Sequence, residues 1–331
     1  MSGEPTVPLF DWPLERLVRY RPPRREPSDF DRFWQTSLKD AAGHNLDVTL
    51  RSWHGHLTLV DVFDVEFSGF SGDRIRAWLL LPKHRTAPLP GVIQFVGYGG
   101  GRGIPYEWLS YSNAGYAHLV MDNRGQGGGG SITAVTPDTA HSPIGPSAPG
   151  FLTRGIDDPD NHYYRRLIVD ASRAVDALAS LPEIDAARIA VVGASQGGGL
   201  SLAVGALRPH LAAVLTDVPF LCDFPRAVTI TDAGPYAEVA DFLRGDRSAV
   251  ERTLDTLSYF DATNFAARAT APARFTVGLM DRVCPPSTVY AAHNHYTAAK
   301  QLVVYPFNGH EGGGQYDLPG KLDALREAFG G

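Results

Sequence analysis

Residues 188–207 read RIAVVGASQGGGLSLAVGAL, a short apolar run followed by a glycine-rich turn and a second apolar run. The first run, 188–194, has the texture of a strand buried on both faces, and 196–207 is predicted to be a helix. The pentapeptide from Gly193 to Gly197 fits the pattern G-x-S-x-G, in which the serine sits on a strained turn and flanking side chains would clash with the strand and helix. Ser195 is therefore predicted to be a nucleophile. The alternative is a glycine-rich turn that happens to contain a serine.

Strands and helices alternate on both sides of this stretch. Short apolar runs of the kind found in buried strands recur at 91–97, 117–122, 212–217, 274–281 and 301–307. Helical patterns lie between or after them, at 163–181, 288–299 and 321–330. This alternation predicts an α/β fold with a mostly parallel central sheet flanked by helices. Further elements precede this core: a helix at 28–42 and strand-like runs at 46–53, 59–67 and 75–82.

Two segments interrupt the alternation. Residues 127–161 form a long stretch rich in Gly and Pro, and loops of that length are usually functional or disordered. Residues 218–272 form a mainly helical insertion, which we expect to be a lid over the carboxyl ends of the strands, where ligands bind in such sheets. We predict a single domain, 1–331, that carries this insertion and an N-terminal extension with its helix at 1–45.

Composition narrows the class of partner. The net charge is −6 and no long basic run is present, so nucleic acid is not an expected partner. Hydrophobic residues make up 44% of the chain, but no apolar run is long enough for a membrane span, so no membrane partner is expected. The N-terminus lacks the basic and apolar regions of a signal peptide, which predicts a cytoplasmic location.

No metal or organic cofactor is predicted. His54 and His56 have the H-x-H spacing, but no cluster of carboxylates or cysteines accompanies them. Glycine motifs for nucleotides are also missing. The two cysteines, Cys222 and Cys284, form no C-x-x-C motif and are expected to be semi-buried small apolar residues.

A nucleophilic serine needs a base and an acid, which follow it here in the order acid, then histidine. His310 lies in PFNGHEGGG, just after the last predicted strand, whereas other late histidines fall inside a predicted helix. Asp281 directly follows the strand before that, where its carboxylate would fix the imidazole tautomer. Asp217 and Asp223, at and after an earlier strand, are the competing acids.

The oxyanion of an acyl-transfer reaction needs two backbone donors. One is expected to be the N–H of the residue after the nucleophile, Gln196. The other should come from the loop after GVIQFVG, which reads GYGGGRG and makes Tyr98 the candidate. The Tyr98 side chain is also a candidate for a wall of the pocket.

Three signatures can now be combined: RGQGG at 124–128, GASQG at 193–197 and HE at 310–311. In this order they resemble the acetyl xylan esterase / cephalosporin C deacetylase family, which is carbohydrate esterase family seven of the α/β-hydrolase superfamily. The resemblance implies an α/β-hydrolase fold, a triad of Ser195, Asp281 and His310, and oxyanion donors on Tyr98 and Gln196. It also implies deacetylation of short xylo-oligosaccharides, small acetyl esters and cephalosporin C, and a ring-shaped homohexamer.

The chain departs from this family at Val96, where the family usually has a histidine, and this puts the shape of the acyl pocket in question. Arg124 and Gln126 are interpreted as structural, with the arginine fork tying several carbonyls together behind the oxyanion loop. Glu311 is interpreted as a charged partner near the base or at a subunit contact. The residues after a core strand that are expected to line the acyl pocket are Pro219, Phe220 and Leu221.

Two other functions are compatible with the same residues. One is a carboxylesterase of broader specificity, or a peptidase, on the same fold; a peptidase would need an anchor for a peptide terminus, which the sequence does not reveal. The other is a non-catalytic binding protein with a hydrolase fold, which should have lost at least one member of the triad. The sequence does not name the physiological ester.

Overall fold

The computed structural model describes residues 9–128, 132–141 and 145–331. In these ranges one sheet contains the strands β1 Thr49–Trp53, β2 Val60–Ser68, β3 Arg74–Pro82, β4 Leu89–Phe95, β5 Ala117–Met121, β6 Ile184–Ala194, β7 Ala213–Asp217, β8 Ala273–Gly278 and β9 Lys300–Tyr305. Their order is β1-β2-β3-β5-β4-β6-β7-β8-β9. The pairs β1-β2, β2-β3 and β3-β5 are antiparallel. The remaining pairs, β5-β4, β4-β6, β6-β7, β7-β8 and β8-β9, are parallel. The predicted α/β fold with a mostly parallel sheet is confirmed.

The burial of β5 and β8 matches their sequence patterns, but that of β9 does not. Every residue of β5 and β8 is buried, as expected for short apolar runs in the middle of a parallel sheet. The apolar run at 301–307 predicts a strand buried on both faces, whereas every residue of β9 is exposed or half-buried, because β9 lies at the edge of the sheet. Each predicted strand is present. The largest difference in bounds is at β6, which begins at Ile184 rather than at 188 because its first residues pair with the start of β4 at Leu89.

Helices cover both faces of the sheet. They are α1 Leu14–Leu17, α2 Phe30–Ala42, α3 Leu109–Asn113, α4 Tyr163–Ala179, α5 Gln196–Leu207, α6 Phe224–Ile230, α7 Ala237–Gly245, α8 Val250–Ser258, α9 Ala262–Ala266, α10 Pro286–His295 and α11 Leu318–Ala328. The main hydrophobic core joins α4 and α5 to one face, and a smaller cluster joins α3 and α11 to the other. This is the layered arrangement that an alternating sequence predicts.

Helix α5 lies inside the molecule rather than on its surface. Its residues from Gln196 to Gly205 are all buried, and α4 and α9 pack against it. A helix that is apolar on every side is stable only when other layers surround it. The N-terminus of α5 is therefore fixed relative to the sheet.

The predicted insertion at 218–272 contains α6, α7, α8 and α9, so it is mainly helical; its role as a lid stays a prediction. Within the predicted loop at 127–161, residues 129–131 and 142–144 lie outside the described residues, as do residues 1–8 of the predicted extension. Among the helices of the described ranges, none has the length and apolar character needed to cross a bilayer.

Candidate active site

The turn between β6 and α5 holds Ser195 in a backbone conformation that residues with a side chain rarely adopt, with φ 56° and ψ −120°. A Cβ atom at Gly193 would lie 2.3 Å from the backbone of Gly197, and one at Gly197 would lie 2.1 Å from the carbonyl oxygen of Phe95. Such distances are too short for real atoms. Both glycines are therefore required by the close packing of β4, β6 and α5 around the serine.

Backbone hydrogen bonds anchor this serine to the loop after the neighbouring strand. The Ser195 N–H donates to the Asp217 carbonyl at 2.9 Å, and the Ser195 carbonyl accepts from Phe220 N–H at 2.9 Å and from Gly199 N–H at 3.0 Å. Ser195 is 8% exposed. Its hydroxyl is thus held at the N-terminus of a buried helix, with only a small opening toward solvent.

Asp281 and His310 form a directly hydrogen-bonded pair. The fully buried Asp281 carboxylate accepts the backbone N–H groups of Val283 at 2.8 Å and Cys284 at 2.9 Å through Oδ1. Its Oδ2 lies 2.9 Å from Nδ1 of His310, whose side chain is 33% exposed. With Nδ1 donating to this carboxylate, Nε2 is the ring nitrogen that is free to act as a base.

The two loops that carry this pair are bonded to each other. Met280 N–H donates to the Asn308 carbonyl at 3.0 Å, and a Cβ at Gly278 would lie 2.2 Å from the Gly309 carbonyl oxygen. Glu311 accepts from the Asn308 amide at 3.0 Å and from Gly309 N–H at 3.1 Å. Its own backbone N–H, followed by the Asn308 amide, keeps the pKa of its carboxyl below the usual value. The Glu311 side chain braces the turn just before the histidine.

The competing acids have other partners. Asp217 forms an ion pair with Lys321 on α11. The Asp223 carboxylate accepts from the Tyr20 hydroxyl at 2.8 Å, and burial, ahead of a neighbouring carboxylate, raises its pKa to about 6. Of the three acids that sequence analysis considered, Asp281 is the one that meets His310.

One cavity of about 410 Å³ is shared by the serine turn, the histidine loop and the loop that carries Tyr98. Ser195, His310 and Tyr98 all contribute to its wall. The remaining lining residues come from the oxyanion loop, the 145–152 segment, the insertion and the loop after Asp281: Gly97, Pro149, Gly234, Pro235, Glu238 and Val283. This volume falls in the range of small-molecule sites.

The N–H groups of Tyr98 and Gln196 are used by no other protein group within the described residues. The side chain of Gln126 links the two segments that carry them. Its Oε1 accepts from Gly99 N–H at 2.7 Å, and its Nε2 donates to the Gln196 side-chain oxygen at 2.8 Å. Gln126 therefore ties the oxyanion loop to the start of α5, which fits the structural role that the sequence suggested.

The Tyr98 side chain has a fixed position of its own. Its hydroxyl donates to Oε1 of Glu238 at 2.5 Å and accepts the N–H groups of Gly150 at 3.1 Å and Phe151 at 2.9 Å. Burial raises the pKa of the Tyr98 phenol, ahead of the nearby Glu238 charge, so the phenol stays protonated. Sequence reasoning missed Glu238, since an acidic residue in the first turn of a helix is an ordinary feature.

Arg124 supports this region through carboxylates rather than carbonyls, which corrects the expectation from sequence. Its guanidinium is fully buried and makes a two-pronged contact with Asp170, at 2.5 and 2.7 Å, and a third bond to Asp73 at 2.9 Å. Its own carbonyl accepts from the Tyr163 hydroxyl at 2.6 Å. A buried guanidinium is costly unless charged or polar groups pair with it, and the carboxylates of Asp170 and Asp73 do so here.

The residues expected to form the acyl pocket lie elsewhere. Pro219, Phe220 and Leu221 are not among the cavity-lining residues of the described chain; Phe220 and Leu221 are buried in the main core. Val96 packs into a separate apolar cluster with Trp78 and Leu80, not into the cavity wall.

Asp281, Cys284 and His310 place possible metal-binding atoms within 4.8 Å of one another. The Asp281–His310 hydrogen bond already accounts for two of these three residues. Burial, ahead of the Asp281 charge, raises the pKa of the Cys284 thiol, which disfavours the thiolate that a metal would need. Both Cys284 and Cys222 are free and fully buried, deeper than the semi-buried positions expected from the sequence, because both belong to the main hydrophobic core.

A mostly parallel sheet flanked by helices, with a serine on the tight turn after a central strand, defines the class of α/β hydrolases. Distant solved structures, below 25% identity, include an α/β hydrolase and share the fold alone. The chain belongs to the acetyl xylan esterase family, whose sequence model, described as acetyl xylan esterase (AXE1), matches residues 7–323. Acetyl xylan esterases are carboxylic ester hydrolases, so the predicted family and class of enzyme are confirmed.

Solved structures and a curated relative agree with this assignment. An acetyl xylan esterase from a Paenibacillus species is 38% identical, with a TM-score of 0.89, over 96% of this chain and 100% of that chain. Acetyl xylan esterase 1 from a Thermoanaerobacterium species is 33% identical, with a TM-score of 0.87, over 96% and 99%. The acetyl esterase Axe7A of Xylanibacter ruminicola is 32% identical over 88% of this chain. The match covers 65% of the length of that relative.

Proposed function

We propose that this chain is a serine esterase that removes O-acetyl groups from acetylated xylo-oligosaccharides and small acetyl esters, including cephalosporin C. The observation that carries the proposal is the 2.9 Å contact between Asp281 and His310, together with the position of His310, which lines the same cavity as Ser195. The names of the similar proteins, two acetyl xylan esterases and an acetyl esterase, support the choice of acetyl group and sugar.

Acylation begins with Ser195. Nε2 of His310 takes the hydroxyl proton while Oγ attacks the acetyl carbonyl carbon, and the carbonyl electrons move onto oxygen. The backbone N–H groups of Tyr98 and Gln196 stabilise this oxyanion, and each such donor lowers the barrier by about 2.7–4 kcal/mol. The tetrahedral intermediate collapses, the bond to the sugar oxygen breaks, and His310 gives its proton to the departing hydroxyl.

Deacylation repeats these steps with water. His310 takes a proton from the water, whose oxygen attacks the acetyl-serine carbonyl, and the second oxyanion uses the same two donors. Collapse releases acetate and returns the proton to Ser195. Asp281 stabilises the imidazolium that forms in both halves and keeps its Nδ1 proton in place.

We also propose that the protein assembles as a homohexamer and works in the cytoplasm. The hexamer is supported by the family resemblance. Light scattering on the purified protein should give six times the chain mass; a monomer at micromolar concentration would contradict the assembly. Fractionation of the source cells tests the location.

The activity is tested by hydrolysis of p-nitrophenyl esters with acyl chains from two carbons upward. We expect the highest kcat/KM on acetate and a steep fall with chain length. Ser195→Ala should lower kcat by at least about 10⁴-fold, because the nucleophile is lost. Assays on acetylated xylo-oligosaccharides and on cephalosporin C then compare the two substrate classes.

Ser201→Ala is the matched control. Ser201 lies on the same helix, and its hydroxyl donates to the Gly197 carbonyl at 2.8 Å, within the helix itself. This variant should keep turnover close to that of the wild type. A preference for long acyl chains would favour a broader carboxylesterase, and ester turnover that survives Ser195→Ala would contradict the proposal.

A further inference from the structure

Glu238 connects three segments of the cavity wall. It lies in the first turn of α7, in the insertion, and its Oε1 receives hydrogen bonds from the Tyr98 hydroxyl at 2.5 Å and from Gly150 N–H at 3.0 Å. Its Oε2 receives the N–H of Leu152 at 3.2 Å. One carboxylate thus joins the oxyanion loop, the 150–152 segment and the insertion.

We propose that Glu238 is a positioning residue for the reaction, which holds the oxyanion loop in its active geometry through the Tyr98 phenol; this inference rests on the proposed function. Tyr98 supplies a backbone N–H to the oxyanion. Its long side chain is attached to the same residue, so a fixed position of the phenol, at Glu238, also restricts the direction of that backbone N–H. Oxyanion stabilisation depends on that direction, because the donor must lie about 2.7–3.1 Å from the developing charge.

The contacts around the phenol support this role. The Tyr98 ring packs edge-on against Phe151 at 5.3 Å and Phe220 at 6.0 Å, so the ring is held on its sides and the hydroxyl at its tip. The hydroxyl has both its donor and acceptor sides engaged, by Glu238 and by two backbone amides. A carboxylate is a stronger acceptor than a neutral oxygen, so it defines this position more firmly.

The proposed role predicts a kinetic signature. The oxyanion exists only in the transition state and the tetrahedral intermediate, so loosening its donors lowers kcat and leaves substrate binding nearly unchanged. A carboxylate that instead bound a sugar hydroxyl of the substrate would alter KM on sugar esters and have little effect on a small ester without a sugar.

The test uses Glu238→Gln, Tyr98→Phe and the double variant, with p-nitrophenyl acetate as substrate. Each single variant should lower kcat about tenfold, the effect of losing one charge-assisted hydrogen bond, with KM within about twofold of the wild-type value. The double variant should be no slower than the slower single variant, because both substitutions break the same contact. Asp241→Asn is the control, since Asp241 lies on the same helix and pairs with Arg244 at the surface.

Several results would overturn the inference: an unchanged kcat in Glu238→Gln, losses that multiply in the double variant, or an effect on KM alone. If Glu238→Gln does not fold, Tyr98→Phe is used with a trifluoromethyl ketone that mimics the oxyanion. Its affinity should then fall by the same factor as kcat/KM, and an unchanged affinity would refute the role. Absence of Ser195-dependent turnover in the wild type would reject the proposed function itself, which is a different outcome.

Discussion

Asp281 and His310 follow β8 and β9, which are neighbours in the sheet, and their loops bond to each other; of the two, His310 lines the cavity. Tyr98 and Glu238, which line the same cavity, meet across 140 residues of sequence. After their proposed roles, we call the first pair the acid–base side and the second, together with Gln126, the oxyanion side. Strand order brings the loops of Asp281 and His310 together, and it also brings the loops of Tyr98 and Gln126 together, because β4 and β5 are neighbours. Glu238 comes from the insertion, and side-chain hydrogen bonds join it and Gln126 to the oxyanion loop. The oxyanion side therefore depends more on individual side-chain hydrogen bonds.

This difference has a consequence for how each side responds to substitution. Backbone bonds and strand pairing keep the acid–base side in place, so replacing one of its residues removes a chemical group without moving the others. On the oxyanion side each polar side chain also determines where its neighbours lie. Substitutions there should combine a structural and a kinetic effect.

The largest effect is expected on the acid–base side, from Asp281→Asn. The amide can keep the volume of the carboxylate, but it no longer favours the Nδ1–H tautomer or the imidazolium of His310. We expect kcat to fall by about 10⁴-fold with the melting temperature little changed. Steady-state kinetics on p-nitrophenyl acetate and a thermal melt measure both quantities.

Asp217→Asn is the matched control for this prediction. Asp217 also lies at the carboxyl end of a strand, as the last residue of β7, but its carboxylate pairs with Lys321, so its loss should change kcat by less than about threefold. A fall comparable to that of Asp281→Asn would mean that the acid is not confined to the β8 loop, and the contrast between the two sides would be lost.

The second effect is structural and concerns the support of the oxyanion side, in Arg124→Met. This change leaves Asp170 buried without its guanidinium partner, and breaking a buried pair in this way typically costs about 3–5 kcal/mol of unfolding free energy. Urea denaturation measures the loss. Arg326→Met breaks an exposed pair with Asp323 and should cost less than about 1 kcal/mol. Equal losses in the two variants would contradict the structural role of Arg124.

The smallest effect is expected for Gln126→Leu. The leucine fills similar space but leaves the Gly99 N–H without its acceptor, so the oxyanion loop loses its link to Gln196. We expect kcat to fall about tenfold and stability to fall by about 1–3 kcal/mol, the cost of an unpaired buried donor. Kinetics and urea denaturation on the same preparation separate the two. A kcat at the wild-type level would show that the link is not needed for catalysis.

The sequence predicted the fold because the signals are local and repeated. Short apolar runs alternate with helical patterns, and the glycines at 193 and 197 mark a turn that close packing makes obligatory. The pairing of Asp281 with His310 was also accessible, because parallel strands end at one edge of the sheet and bring consecutive loops together.

The rest depends on tertiary contacts that leave no pattern in a single sequence. Phe220 and Leu221 follow a core strand, as pocket residues often do, yet the turn after β7 directs them into the core. Arg124 could be recognised as important but not matched to Asp170, which lies in the middle of α4. Glu238 belongs to an insertion whose packing against the sheet cannot be inferred from helical periodicity.

The two cysteines give this molecule a built-in reporter of local opening. Cys284 lies beside Asp281 and His310 of the proposed triad, and Cys222 lies at the start of the insertion; neither thiol has any exposed surface. A thiol-specific reagent can therefore label either position only after the surrounding segment has opened, so single-cysteine variants would give a separate opening free energy for the active-site loop and for the insertion. Comparing the two opening free energies would show whether the insertion separates from the sheet more easily than the loop beside His310. The segment that opens more easily is the one we expect to limit the lifetime of the enzyme at high temperature.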